Sequence, residues 1–442
     1  MKLIGLPGAS VVRHRYLLPL TVGVLVVVVL WARSQSAGDR LYGVVALVAA
    51  ALVAQPVLRL VGHAIESEKF EREHEAREVA CTLRVPEGEP LRDVYLIVMD
   101  AYERDDVLRE MHGYDNTPFL DPLRAMGFYV AAGSLSNYRH TEISLTSILN
   151  LDYIQAFPES YSESSDNRNG LVAMIKDSRL RRELECLGYV TVSFETGVYW
   201  TEWTNADYFI TQAGGSLSSP EFFGGLTRFE TFLLRTSIAR ALMDFSSRVQ
   251  QSQEVLSNDP IEDHRERILF ALDQLSHVAS LPSPKLVFVH ILSPHPPMVF
   301  GRNGEHVNEG EFETGRTDEQ VERLLLEAYA DQVEFLNGRL LEAVQSIKAA
   351  SEAPPIIIIL GDHGWAERNL EDKLSILNAY HLPGLEPSWL YPTITPVNTF
   401  RVIFDRYFGA ELGLLDDVSY FSFEDGIFKF ELVENTWSSP DS

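Results

Sequence analysis

Four short apolar runs constrain this chain most: DVYLIVMD at 93–100, YVTVSF at 189–194, KLVFVHI at 285–291 and PIIIILGD at 355–362. Each is nearly continuous in apolar residues rather than alternating, which suits strands of a parallel sheet covered on both faces. Helix-favouring stretches separate them, at Asp105–Met111, Gly170–Cys186 and Asp318–Ala350. The last places apolar residues at helical spacing, as packing on a sheet face requires. This alternation predicts an α/β domain, a layered and mostly parallel central sheet with helices on both faces. Further on, YFSFEDGIFKFEL at 420–432 alternates around Asp425-Gly426, a hairpin signal.

The N-terminal region is of another kind. Tyr16–Ala32 and Leu41–Leu58 carry no charge, and each approaches the length needed to cross a hydrocarbon layer. Together they predict a transmembrane helical hairpin within residues 1–62. The other readings are a signal sequence for the first run and a buried helix for the second. Lys2, Arg13 and Arg15 precede the pair, whereas Arg33 and Arg40 sit between the two runs. The positive-inside rule therefore pulls both ways, and flanking charge does not fix the side of the membrane. Residues 63–80, rich in mixed charges, read as a solvated helical stalk, with Pro86, Gly88 and Pro90 ending the linker. The expected divisions are thus 1–62 in the membrane, 63–90 stalk and linker, 91–410 catalytic domain, and 411–442 hairpin and tail.

Charge and cysteine content narrow the function classes. The formal net charge of -26 gives no overall attraction for nucleic acid or anionic membrane surfaces. An anionic substrate would need a local cation, which a bound metal supplies. Two cysteines, Cys81 and Cys186, exclude a disulfide-rich scaffold and a cysteine-based zinc site. They either form one bridge in an extracytoplasmic domain or remain two thiols.

Ligands of parallel α/β sheets gather beyond the carboxyl ends of the strands. Three strand ends here carry polar side chains: Asp100 after the first, His290 and His295 in HILSPHPP, and Asp362-His363 in GDHGW. One acid at such a position is a turn former more often than a ligand. An Asp-His pair joined by other strand-end donors points to a metal, and carboxylate plus imidazole suits zinc or manganese better than calcium. Thr141 opens the helical stretch TEISLTSILN. It is either a helix cap or a nucleophile whose alkoxide is stabilised by a divalent cation and a helix N-terminus. Arg139 and His140 either steady the oxygens of a transferred group or are exposed loop side chains. Ser144, one turn on, is a site-lining hydroxyl or an ordinary helix serine.

At these residues the chain resembles the alkaline phosphatase/sulfatase superfamily. It is similar above all to the membrane-anchored sulfatase-like branch of lipoteichoic acid synthases and phosphoethanolamine transferases. VYLIVMDAY, SNYRHTEISLTSILNLDYI, FVHILSPHPPMVF and ILGDHGW occur in family order, extended by LNAYHLPG and YPTITPVNTFRVIFDRYFG. The resemblance spans about Asp93–Phe408. It implies Asp100, Thr141, Asp362 and His363 as metal ligands and Thr141 as the nucleophile. His295 and, by a looser match, His381 would line the substrate, beside Arg139. It also implies one tight metal with room for a second, and a catalytic domain outside the cytoplasm. The C/S-x-P-S-R motif of true sulfatases is absent, which favours phosphoryl over sulfuryl chemistry.

The expected function is a membrane-anchored, metal-dependent phosphotransferase. It would pass through phosphothreonine and act on lipid or glycan phosphoesters, with no nucleic-acid partner. A phosphodiesterase or phosphatase of the same fold uses the same first step with water as acceptor. A catalytically inactive envelope assembly or binding protein is the reading from another class. The sequence leaves the substrate, the acceptor and the oligomeric state open.

Overall fold

Alternate residues of the first strand, β1 (Val94–Met99), enter two different cores. Tyr95, Ile97 and Met99 pack into one apolar cluster, and Val94, Leu96 and Val98 into the other. The two-residue period of a strand divides a continuous apolar run in this way, and it shows that both faces of the sheet are covered. The structure, a computed structural model, describes residues 81–157, 168–212, 260–308, 312, 316–365 and 368–439. The expected membrane hairpin and the 63–80 stalk lie outside the described residues. Among the described residues, no helix is long and apolar enough to cross a membrane.

Along the chain β1 is followed by α1 (Asp105–His112), α2 (Thr117–Ala125), β2 (Tyr129–Val130) and α3 (Thr141–Asn150). Then come α4 (Asn169–Lys176), α5 (Arg179–Cys186), β3 (Val190–Phe194), β4 (Tyr208–Ile210), α6 (Pro260–His277) and β5 (Lys285–Ile291). The remaining elements are α7 (Asp318–Ala350), β6 (Ile356–Gly361), β7 (Asn378–His381), α8 (Thr399–Tyr407), β8 (Ser419–Phe421) and β9 (Glu431–Val433). The main sheet has seven strands in the order β2-β7-β6-β1-β5-β3-β4. β1 lies at its centre, parallel to β5 and to β6, so Asp100, the end of β5 and Asp362 reach the same pole. β7 alone runs against its neighbours β6 and β2.

One core is closed by α2, α6 and α7, whose Leu120, Leu123, Leu272, Leu275, Val333, Leu336 and Leu340 meet β1, β5 and β6. The other is closed by α3, α5 and α8, through Leu145, Leu149, Leu180, Leu184, Phe400 and Phe404. Each such fully buried aliphatic side chain contributes roughly 1.5–3 kcal/mol of transfer free energy. The long α7 begins at a capping box in which Thr317 and Gln320 bond each other's backbone amides. At the pole opposite Asp100, buried Lys285 donates to Asp93 at 2.5 Å and to the carbonyls of Ala279 and Leu281.

Two expectations need correction, and the choice left open for the two cysteines is decided. Residues 170–186 form two helices, because Ser178 leaves the helix to cap α5 through the Arg181 amide. The C-terminal hairpin pairs only Ser419–Phe421 with Glu431–Val433. The segment between leaves the ladder to bury Ile427 and Phe428 beside Tyr138 and Ile143. The tail is also held, since Asn435 donates to the Gly133 carbonyl and Thr436 to Glu371. Finally, Cys81 and Cys186 are joined in a disulfide with Cα atoms 5.8 Å apart, and Thr82 binds Glu183 beside it.

Candidate metal centre

Asp100 follows β1 directly, and its amide donates to the Ile291 carbonyl at the end of β5. Asp362 and His363 follow β6 directly. The close approach of these loops requires Gly361, where a Cβ would stand 2.3 Å from the Tyr102 carbonyl oxygen. Ala101 takes a left-handed conformation with φ 59°. That conformation costs a non-glycine residue about 1–2 kcal/mol. It is held by two bonds: the Ala101 amide donates to Asp362 Oδ1 at 3.0 Å, and the Tyr329 hydroxyl donates to the Ala101 carbonyl at 2.7 Å.

Thr141 is the first residue of α3, and its N-cap is His140, whose side chain makes no cap bond. The Thr141 hydroxyl meets the loop that follows β6. It lies 3.1 Å from His363 Nε2. Below it α3 is buried throughout, and Thr146, Ser147 and Asn150 donate to carbonyls four or five residues away. Ser144 donates to the Asp362 carbonyl at 2.8 Å, and Ser136 donates to the same oxygen. These two hydroxyls tie the start of α3 to the Asp362 backbone.

Asp100, Asp362 and His363 each offer a ligand atom within 4.8 Å of the others. His363 Nδ1 lies 2.8 Å from the Gly364 carbonyl, which accepts only from a protonated nitrogen. Nε2 is then the bare acceptor, turned towards Asp100 at 3.5 Å, Asp362 at 3.6 Å and the Thr141 hydroxyl. Asp100 Oδ1 and Asp362 Oδ2 are buried without a hydrogen-bond partner. Two buried carboxylates with orphaned oxygens beside an imidazole lone pair are costly unless a cation joins them. The donor set fits a divalent metal.

The electrostatics agree. Burial raises the pKa of Asp100 well above the usual carboxylate range; the charge of Asp362 adds to this and the Lys373 ammonium opposes it. For Asp362, burial is the largest influence and acts upward. His363, His290 and the Ala101 amide together outweigh it and hold that pKa low. Burial lowers the pKa of His363, and the nearby Asp362 charge opposes this. A shared cation would reverse the mutual repulsion of the two acids.

His295 is half-buried beside this group, its ring edge-on to His363 with centroids 6.0 Å apart. His290 is fully buried in β5 with neither ring nitrogen hydrogen-bonded, and Nε2 lies 3.8 Å from Asp100 Oδ2. Burial pushes its pKa down to about 4. Arg139 lies over the Phe421 ring at 5.1 Å and donates to the Ser422 carbonyl, clamping the C-terminal segment to the loop before Thr141. His381 is not at this pole. It ends antiparallel β7 opposite Ile357, the second residue of β6. About five residues, or roughly 16 Å of strand, separate that level from Asp362. There His381 meets the Pro355 carbonyl at 2.8 Å and Lys348 Nζ at 3.0 Å.

Sequence reasoning passed over Lys373 and Glu103. Lys373 is buried and donates to the Trp365 carbonyl at 3.0 Å, two residues beyond His363. Glu103 accepts from the Trp365 amide at 3.1 Å.

No family model matches the chain, and no curated protein matches it by sequence. Solved structures do match. The C-terminal periplasmic domain of EcEptC from Escherichia coli, in complex with zinc, is 14% identical over 80% of this chain and 95% of its own, with a TM-score of 0.50. This chain has the alkaline phosphatase/sulfatase-like fold. Two other structures align at lower scores. The lipoteichoic acid synthase LtaP from Listeria monocytogenes is 12% identical over 79% of this chain and 80% of its own, with a TM-score of 0.43. The lipooligosaccharide phosphoethanolamine transferase EptA from Neisseria meningitidis is 13% identical over 83% and 69%, with a TM-score of 0.44. In the alkaline phosphatase/sulfatase-like fold of this chain, the Asp100, Thr141, Asp362 and His363 side chains meet at the carboxyl pole of the sheet.

Proposed function

We propose that the chain is a membrane-anchored, metal-dependent phosphotransferase that forms a phosphothreonine at Thr141. The supporting observation is the 3.1 Å separation of Thr141 Oγ1 from His363 Nε2, at the edge of the buried Asp100–Asp362–His363 group. Those three side chains would hold the cation, with the Thr141 hydroxyl beside it. When bound, the cation supplies positive charge that lowers the energy of an ionised hydroxyl and of the transferring phosphoryl group. The N-terminus of α3 adds a favourable dipole at the same place.

In the first half-reaction Thr141 Oγ1 bonds to phosphorus, and the bond to the donor alcohol breaks. That alcohol leaves with the proton given up by the threonine. In the second, an acceptor alcohol attacks the phosphothreonine, and Thr141 Oγ1 departs and regains a proton. His295, whose ring lies edge-on to His363, would bond a substrate oxygen. The substrate is a lipid or glycan phosphoester, and zinc or manganese is the metal that the donor set prefers. The Cys81–Cys186 bridge supports a catalytic domain in an oxidising, extracytoplasmic compartment.

The full-length protein, loaded with zinc and given a chromogenic phosphodiester, should show a phosphate adduct on Thr141 by mass spectrometry. Adding a candidate acceptor alcohol should divert product from free phosphate monoester to the transferred ester. Turnover retained in Thr141→Ala would overturn the phosphothreonine route. Turnover that ignores every acceptor alcohol would assign the chain to the hydrolases instead.

A further inference from the structure

Two strand-end loops hold each other by one amide-to-carboxylate bond in each direction. The Ala101 amide donates to Asp362 Oδ1, and the Trp365 amide donates to Glu103 Oε1. The second bond bears on the metal centre in a way the first does not. The Trp365 N–H belongs to the same peptide group as the Gly364 carbonyl, and that carbonyl accepts from His363 Nδ1 at 2.8 Å. One rigid, planar unit therefore carries Glu103 on one side and the metal-facing histidine on the other.

We infer that Glu103 is a positioning residue that sets the tautomer, orientation and donor strength of His363 through the 364–365 peptide. The inference rests on the metal-centre reading above. A carboxylate that bonds the far nitrogen of a metal-ligating histidine fixes its tautomer and strengthens its donor atom. Here one peptide group stands between carboxylate and ring. A negative charge at the N–H end polarises the amide, so its carbonyl becomes a better acceptor for Nδ1–H.

Glu103 is itself held in one place. Its Oε2 lies 2.7 Å from His112 Nε2, and both side chains are fully buried. His112 Nδ1 faces the Leu326 carbonyl at 3.1 Å, so both ring nitrogens meet oxygen partners and the ring is held from both sides. The His112 ring stacks on Tyr329 at 4.5 Å, and Tyr329 stacks on Trp365 at 5.0 Å. The Tyr329 hydroxyl also accepts from the Glu103 amide. On the other side, the Gly364 amide donates to the Lys373 carbonyl at 2.8 Å, and a Cβ on Gly364 would stand 2.7 Å from the Asp372 carbonyl oxygen. Gly364, at one end of the peptide, is thus packed against backbone, and the Glu103–His112 pair meets the other end.

The test is zinc affinity of the full-length protein, read by competition with a chelating dye. Glu103→Gln keeps size and one acceptor oxygen but removes the charge. It should weaken zinc binding about 10–100-fold, and His112→Gln should weaken it in the same direction. Far-ultraviolet circular dichroism of both variants should match the parent. Nitrogen-15 spectra of metal-free parent protein should show His363 protonated on Nδ1. Unchanged zinc affinity in a folded Glu103→Gln protein would overturn the inference. If neither variant folds, a His363 ring protonated on Nε2 in the parent would overturn it alone. A parent that binds no zinc would instead sink the metal-centre reading.

Discussion

The Thr141 hydroxyl and His363 Nε2 stand 3.1 Å apart although 222 residues separate them in the chain. Helix α3 brings one and the end of β6 brings the other, and the Ser144 bond to the Asp362 carbonyl pins the two elements together. This contact gives the first expectation. Thr141→Ala should lower turnover on a phosphodiester on the order of 10³-fold or more, whereas Thr141→Ser should keep measurable activity. Circular dichroism should report an intact fold in both. Equal loss in the two variants would argue that position 141 serves packing alone.

The orphaned oxygens of Asp100 and Asp362 predict that metal stabilises the fold. Zinc at about 100 times its dissociation constant should add about 2.7 kcal/mol to the unfolding free energy. Denaturant unfolding with and without zinc measures this. Asp362→Asn should remove most of the increment, and an increment that persists would place the bound ion elsewhere.

His381 predicts a dependence on acid that is independent of the metal centre. Burial is the main reason its pKa falls from 6.5 to about 4; the Pro355 carbonyl opposes the shift and Lys348 adds to it. The unfolded ring takes up a proton near 6.5 and the folded ring only near 4. Its contribution is therefore complete above pH 6.5 and is lost as pH falls towards 4, by roughly 3 kcal/mol at most. His381→Gln should flatten the stability curve over that interval. Parallel curves for the two proteins would show that other groups carry the acid sensitivity.

The Cys81–Cys186 bridge closes a loop with a sequence separation of 105. Replacing both cysteines by serine should cost roughly 2–5 kcal/mol of stability. Turnover below the melting temperature should change little, because Cys186 ends α5 just before β3 begins, at the pole away from Thr141. A large fall in turnover without unfolding would contradict that separation.

The parts of the fold visible in the sequence are those set by long, uniform patterns. The runs now seen as β1, β3, β5 and β6 are mostly apolar with no strict alternation, so their burial on both faces was legible in the pattern. Their shared direction then placed Asp100, His295 and Asp362 at one pole. Strand direction is what failed for His381. Asn378–His381 has only four residues, and nothing in them states that they run against β6. Reversal carried the histidine to the far end of the sheet. Glu103 was invisible for a different reason: its effect passes through a backbone peptide, and backbone geometry leaves no mark on residue type beyond Gly364. The cysteine pairing, likewise, depends on α5 and the start of the domain lying side by side, a tertiary fact.

Among the described residues the sheet is bordered by β2, with two residues, and by β4, with three. A margin that short presents almost no open ladder for another polypeptide to extend. Among the described residues, the main sheet therefore offers a second copy of this domain little backbone to pair with.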